Sequence, residues 1–118
     1  MMQTSNAATG LYHDQAALCR ILSHPVRLAI LSALRNGEQC VCHLEAALGL
    51  RQAYISQHLK VLREAGLVDD RRDGWNIFYR VCEPRLRKVT DSLSAFSGEP
   101  RPLLLRAASR CPCPKCTS

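Results

Sequence analysis

VCHLEAALGLRQAYISQHLKVLREAG, residues 41–66, holds two helical patterns separated by one glycine. Leu44, Ala47 and Leu48 share a face and predict a short helix from Val41 to Leu48, closed by Gly49. Ile55, Leu59 and Leu62 recur at i, i+4 and i+7 and predict a longer helix from Gln52 to Ala65, stopped by Gly66. Two helices joined by a short glycine-containing link form a helix-turn-helix. The period then changes. In LVDDRRDGWNIFYRV, residues 67–81, two extended runs, Leu67–Arg72 and Asn76–Val81, flank Asp73-Gly74. That dipeptide accepts positive φ and predicts a β-hairpin. Ile77, Tyr79 and Val81 alternate with polar Asn76 and Arg80, as on a half-buried strand.

The flanks complete the order. Leu18, Ile21 and Leu22 predict a helix from Tyr12 to Leu22, broken at Ser23-His24-Pro25. Pro25 opens the next helix, to about Arg35, because a first-turn proline lacks only an N–H that would have no partner there. Asn36-Gly37 ends it. Glu83-Pro84 opens a last helix in which Leu86, Val89, Leu93 and Phe96 recur every three to four residues. Helix, helix, helix-turn-helix, hairpin, helix is a winged helix-turn-helix, mainly α with a β-hairpin wing. The competing reading is a generic α+β domain with no DNA role. The expected organisation is a flexible N-terminus over 1–10, a DNA-binding and dimerisation domain over 11–96, and a Cys/Pro-rich tail over 97–118, with a short helix across Leu103–Ser109. The first helix and residues 84–96 carry more apolar face than one small core needs, which predicts a homodimer.

At 118 residues and 47% apolar composition, the chain fills one globular domain and is not disordered throughout. No run approaches the ~20 apolar residues of a membrane helix. The opening MMQTSNAATG has neither basic start nor apolar stretch, so the expected address is the cytoplasm. No phosphate loop, nucleotide fingerprint or paired carboxylates are evident, and an enzyme is not expected. The rivals from other classes are a thiol-dependent reductase centred on Cys111–Cys116 and a metal-carrying protein with no DNA role.

The net charge of +6 fits a polyanion partner, and its distribution is more specific. Residues 38–50 carry Glu38 and Glu45 and no Lys or Arg, whereas residues 51–63 carry Arg51, Lys60 and Arg63 and no acid. The second helix of the pair offers Arg51, Gln52, Tyr54, Ser56, Gln57 and His58 at or near its N-terminal half, where a recognition helix meets base edges in the major groove. Gln pairs with adenine and Arg with guanine through two hydrogen bonds each. Lys60 is placed to serve phosphates, and Arg71 and Arg72 to reach the backbone or minor groove from the hairpin tip. The plain alternative is a solvated polar face. For His58 it is a place against the core, and for Tyr54 packing.

Seven cysteines, at 19, 40, 42, 82, 111, 113 and 116, argue by their odd count against a closed disulfide framework. Cys40 and Cys42 stand where the short helix begins. Positions i and i+2 of a regular helix point apart, so a shared ion requires Cys40 at or before the first turn. Two thiolates leave the coordination sphere open. Candidates for a third ligand are His43, Cys19, Cys82 or the tail's Cys111, Cys113 and Cys116. The plain reading of a helical cysteine is buried apolar filler. Thiolate-rich sites favour soft ions, and close, accessible cysteines also suit a redox sensor.

HPVRLAILSAL at 24–34, CVCHLEAALGL at 40–50, YISQHLKVLREAGLV at 54–68 and RRDGWNIFYRV at 71–81 together resemble the ArsR/SmtB family of metal- and metalloid-responsive repressors. The resemblance spans about residues 12–96. It implies a homodimer that binds double-stranded operator DNA and releases it when an effector occupies a sensor site. Cys40-Val-Cys42 resembles the family's Cys-Val-Cys metal box, with His43 where many members have Asp. The resemblance implies Cys40 and Cys42 as metal ligands; the cysteine-rich tail is not a general feature of the family, and its Cys111, Cys113 and Cys116 are expected as three further soft ligands that close over that pair or form a trigonal site alone. No permanent cofactor is implied. The implied effector is As(III) or Sb(III), with Cd, Pb, Hg or Zn, or an oxidant, as alternatives. With no His after 58, residues 84–96 cannot supply the His/Asp/Glu zinc site of other members.

Overall fold

His24 and Pro25 decide where the central helix starts. Pro25 occupies its first turn, and His24, in extended conformation, accepts the Val26 N–H on Nδ1 at 3.2 Å. The computed structural model describes residues 7–98. Its elements are α1 Ala7–Gly10, α2 His13–Leu22, α3 Pro25–Ala33, β1 Gln39–Cys40, α4 Val41–Leu48, α5 Gln52–Glu64, β2 Val68–Asp73, β3 Asn76–Val81 and α6 Leu86–Ser97. The α4–α5 turn works because Gly49 takes the left-handed conformation, φ 66° and ψ 31°, that ends α4. No single helix among the described residues is long and apolar enough to cross a membrane.

Ile55, Leu59 and Leu62 of α5 are fully buried with Ile30 and Leu44 and form the centre of the core, which Leu22, Leu31, Leu34, Val68, Tyr79 and Leu86 complete. Each helix of the motif therefore spends its apolar stripe on the same interior. The three strands form one antiparallel sheet in the order β1-β3-β2. Ile77, Tyr79 and Val81 turn to the main core, as their alternation predicts. Phe78 turns to the opposite face and packs with Cys40 and Cys42 in a second, small cluster.

Three features depart from the expectations. A single helical turn, α1, forms within the stretch expected to be flexible. β1 was not expected; two residues are too few to show a period, and Gln39 and Cys40 become a strand only by pairing with Tyr79 and Phe78. The hairpin turns one residue later than Asp73-Gly74. Asp73 pairs with Asn76, and the two-residue loop is Gly74-Trp75. Gly74, at φ 64°, is its only positive-φ residue, which is the glycine-first turn that suits strand twist. The tail, with Leu103–Ser109 and Cys111, Cys113 and Cys116, lies outside the described residues.

Candidate nucleic-acid interface and cysteine pair

The helix that buries Ile55, Leu59 and Leu62 must present the intervening positions outward. Gln52, Tyr54, Gln57 and Lys60 are exposed on α5, Ser56 is half-buried, and Arg51 is exposed at the N-cap. Among the described residues no ion pair engages Arg51 or Lys60. Two amide side chains and two free cations thus share one solvent face, the donor and acceptor set that base edges and phosphates require.

His58 belongs to the other face and is withdrawn from the DNA set. It lies three residues after Ile55, on the apolar stripe, and is only 7% exposed. Its Nδ1 accepts the Arg27 Nε–H at 3.1 Å, its ring lies 4.2 Å from that of His24 at a tilt of 51°, and Tyr54 meets it edge-on at 4.8 Å. Arg27 in turn donates to the Ile21 carbonyl at 3.0 Å. Burial, then the nearby His24 and Arg27, hold His58 below the ordinary value of 6.5. It is the neutral acceptor that fastens α5 to α3.

The wing separates its two arginines. Arg72 is exposed and, among the described residues, without an ion pair. Arg71 is engaged: its guanidinium forms a fork with the Glu38 carboxylate, lies 3.8 Å from Asp73 and stacks 4.8 Å over the Phe78 ring. The paired carboxylate raises its already high pKa. Arg71 is a clamp between the wing and the segment before α4, and its expected role as a DNA contact does not fit a charge already compensated. Arg63 and Arg80 are likewise paired, with Asp70 and Asp69. Trp75, at the hairpin tip, is 99% exposed. Sequence reasoning passed over it, although a large aromatic at a turn with no core to enter is itself a signal of a binding surface.

Cys40 satisfies the condition that spacing set. It is the N-cap of α4, extended at φ −77° and ψ 160°, and its Sγ accepts the His43 N–H at 3.2 Å. Ahead of the helix, its side chain turns back toward Cys42, and the two are joined as a disulfide with Cα atoms 5.3 Å apart. Cys40 is 1% exposed beneath Phe78, while Cys42 is half-buried. Cys40, Phe78 and Arg71 are direct cross-strand partners, one row across all three strands. His43 is buried beside the pair. Cys82 is excluded as a third ligand by position: it lies four residues beyond Phe78, roughly 13 Å along the chain, with its Sγ on the Gly66 carbonyl at 3.4 Å. Cys19 is exposed on α2.

Residues 24–70 match the model of a family described as bacterial regulatory protein, arsR family. Over 87 residues the chain is 45% identical to a biofilm growth-associated repressor of Agrobacterium fabrum, 74% of each chain being covered. It is 46% identical over 67 residues to an arsenic resistance transcriptional regulator of Pseudomonas putida, covering 57% of this chain and 51% of that one. A homodimeric winged helix-turn-helix DNA-binding domain from Mycobacterium bovis superposes with TM-score 0.67 at 27% identity, covering 82% of this chain and 90% of that one. These relatives are regulators of transcription, not enzymes.

Proposed function

This chain belongs to the arsR family of bacterial regulatory proteins, DNA-binding transcriptional repressors with a winged helix-turn-helix, and we propose that it is a homodimer whose hold on operator DNA follows the thiol state of Cys40 and Cys42. The observation that carries the proposal is the bond between these two sulfurs at the start of α4. Gln52 and Gln57 read base edges, Tyr54 and Ser56 contact the backbone beside them, and Arg51, Lys60 and Arg72 serve phosphates. Trp75 packs against the sugar edge or groove wall from the wing tip. Val89, Leu93 and Phe96 are exposed on one stripe of α6, and Leu11 and Tyr12 are exposed just before α2. A second copy is the natural cover for these faces, and the homodimeric relative supports it. The two recognition helices then enter major grooves ~34 Å apart on a near-palindromic site.

Cys42, the more accessible sulfur, meets the oxidant. Its thiolate attacks a peroxide oxygen, giving a sulfenic acid and releasing hydroxide, which takes up a proton. Cys40 then displaces the sulfenic oxygen as a second water, closing the S–S bond. In sum, two thiols and one peroxide give a disulfide and two waters, and a dithiol reductant reverses the change. Closure pins the first turn of α4 to its cap, in a row with Phe78 and Arg71 of the wing. The spacing of wing and α5 is therefore sensitive to it. A coupling of about 1–3 kcal/mol, roughly 5- to 150-fold in affinity, is what such a switch needs.

A second reading has a specific support. Two soft donors converge at one point, and a relative is named for arsenic resistance. In the reduced chain the same pair offers two thiolates to As(III) or Sb(III); among the described residues no third His, Cys, Asp or Glu completes a site with them, so the further donor is a tail cysteine; Cd, Pb, Hg and Zn rank behind these.

The test uses the full chain and DNA from upstream of its own gene. Trp75, the sole tryptophan, reports binding through its emission. Reduced protein should bind, peroxide should release it, dithiothreitol should restore binding, and Cys42→Ser should not respond. Release of reduced protein by arsenite but not by peroxide selects the second reading. A Cys40→Ser, Cys42→Ser double variant that still lets go in response to either removes this pair as the sensor.

A further inference from the structure

A cavity of about 590 Å³ opens where the end of α3, β3 and the first turns of α6 meet, with no residue of α5 in its lining. It lies within the roughly 300–1,000 Å³ of small-molecule sites. Leu31, Leu34 and Leu86 are its buried apolar floor, and Val81 and Pro84 extend one wall. Three guanidinium groups stand at its rim. Arg35 is paired with Asp91 and Arg80 with Asp69 at 2.9 Å, but Arg87, among the described residues, has no ion pair. The cavity thus offers an apolar interior and one uncompensated cation at its mouth, flanked by two more that are only externally balanced.

We infer that this cavity binds a small amphipathic carboxylate, its hydrocarbon body on the leucine floor and its head on Arg87. The planar fork of a guanidinium matches a carboxylate through two parallel hydrogen bonds, and one free positive charge matches one negative head. A homodimer seam on α6 leaves the cation at the mouth clear. On the α6 helical wheel, Arg87 lies at least about 120° from Val89, Leu93 and Phe96, the stripe that a partner would cover, while Thr90 lies about 60° from Leu93 at the seam's edge. The cavity also has a route to the DNA-binding surface. Glu38 forms part of its wall and is the residue that clamps Arg71 of the wing. An anion settling beside Glu38 adds a like charge next to that clamp, a second input independent of Cys40 and Cys42.

The experiment is calorimetric titration of the full, reduced chain with decanoate, with 1-decanol and acetate as controls. Saturable binding of one decanoate per chain is expected, with decanol and acetate at least tenfold weaker. Arg87→Gln, an exposed change outside the DNA-binding set, should weaken decanoate at least tenfold without altering the melting temperature. Thr90→Phe, which fills the cavity, should remove binding. Equal affinity for decanol, indifference to Arg87→Gln, or no decanoate heat at all overturns the inference. Each of these outcomes is read without DNA, so each stands apart from the fate of the cysteine switch.

Discussion

Helices α5 and α6 are both amphipathic, and their apolar stripes meet opposite fates. On α5, Ile55, Leu59 and Leu62 are completely buried within their own chain. On α6, Leu86 is buried, but Val89, Leu93 and Phe96 remain exposed, Phe96 at 94%. The difference separates two uses of one pattern. The α5 stripe aims a polar face by anchoring the opposite one, whereas the α6 stripe requires a second molecule.

The sharpest way to break this contrast is to truncate one residue from each stripe. Leu59→Ala should cost about 2–5 kcal/mol of unfolding free energy in urea, since it deletes a buried side chain and leaves a cavity. Phe96→Ala should leave the stability of a single subunit within about 0.5 kcal/mol but shift sedimentation toward monomer. A monomeric Leu59→Ala chain that unfolds like the unaltered protein, or a Phe96→Ala dimer as tight as before, would erase the distinction.

The outward face of α5 is probed next. Gln57→Ala should lose about 1–3 kcal/mol in binding to the specific site and much less on random DNA, compared by anisotropy at one salt concentration. An equal loss on both would reassign Gln57 to the backbone.

The smallest expected effect concerns the inward face. His58 is held neutral when folded and lies below its ordinary value of 6.5. As pH falls below about 6.5, the unfolded chain takes up this proton first, so stability declines until the lower folded value is passed. Protonation also removes the acceptor of the Arg27 hydrogen bond and sets a second positive charge beside Arg27. Thermal melts between pH 7.5 and 5.5 should show this decline, and His58→Asn, which keeps an acceptor for Arg27, should flatten it. Parallel melting curves for the two proteins would rule His58 out as its source.

Much of the architecture was legible from local pattern. The α4–α5 pair followed from leucine spacing and Gly49, and the wing from alternation around a glycine turn, because each is stabilised by contacts whose period is written along the chain. The polar face of α5 was legible for the same reason. So was the core-side alternative for His58, which lies three residues from Ile55 on the same stripe.

What the chain determined by itself is the set of helices and strands, the faces they bury, and the presence of two cysteines where a helix begins. Tertiary structure alone decided that Gln39 and Cys40 pair with β3, that Arg71 is clamped to Glu38, that Cys40 lies sealed under Phe78 while Cys42 stays half-open, and that three arginines from separate elements ring one cavity. The physical reason is range. Helical and strand periods are local and leave their mark on consecutive residues, but a cross-strand row or a cavity wall joins residues tens of positions apart, and only the packed core sets which of them meet.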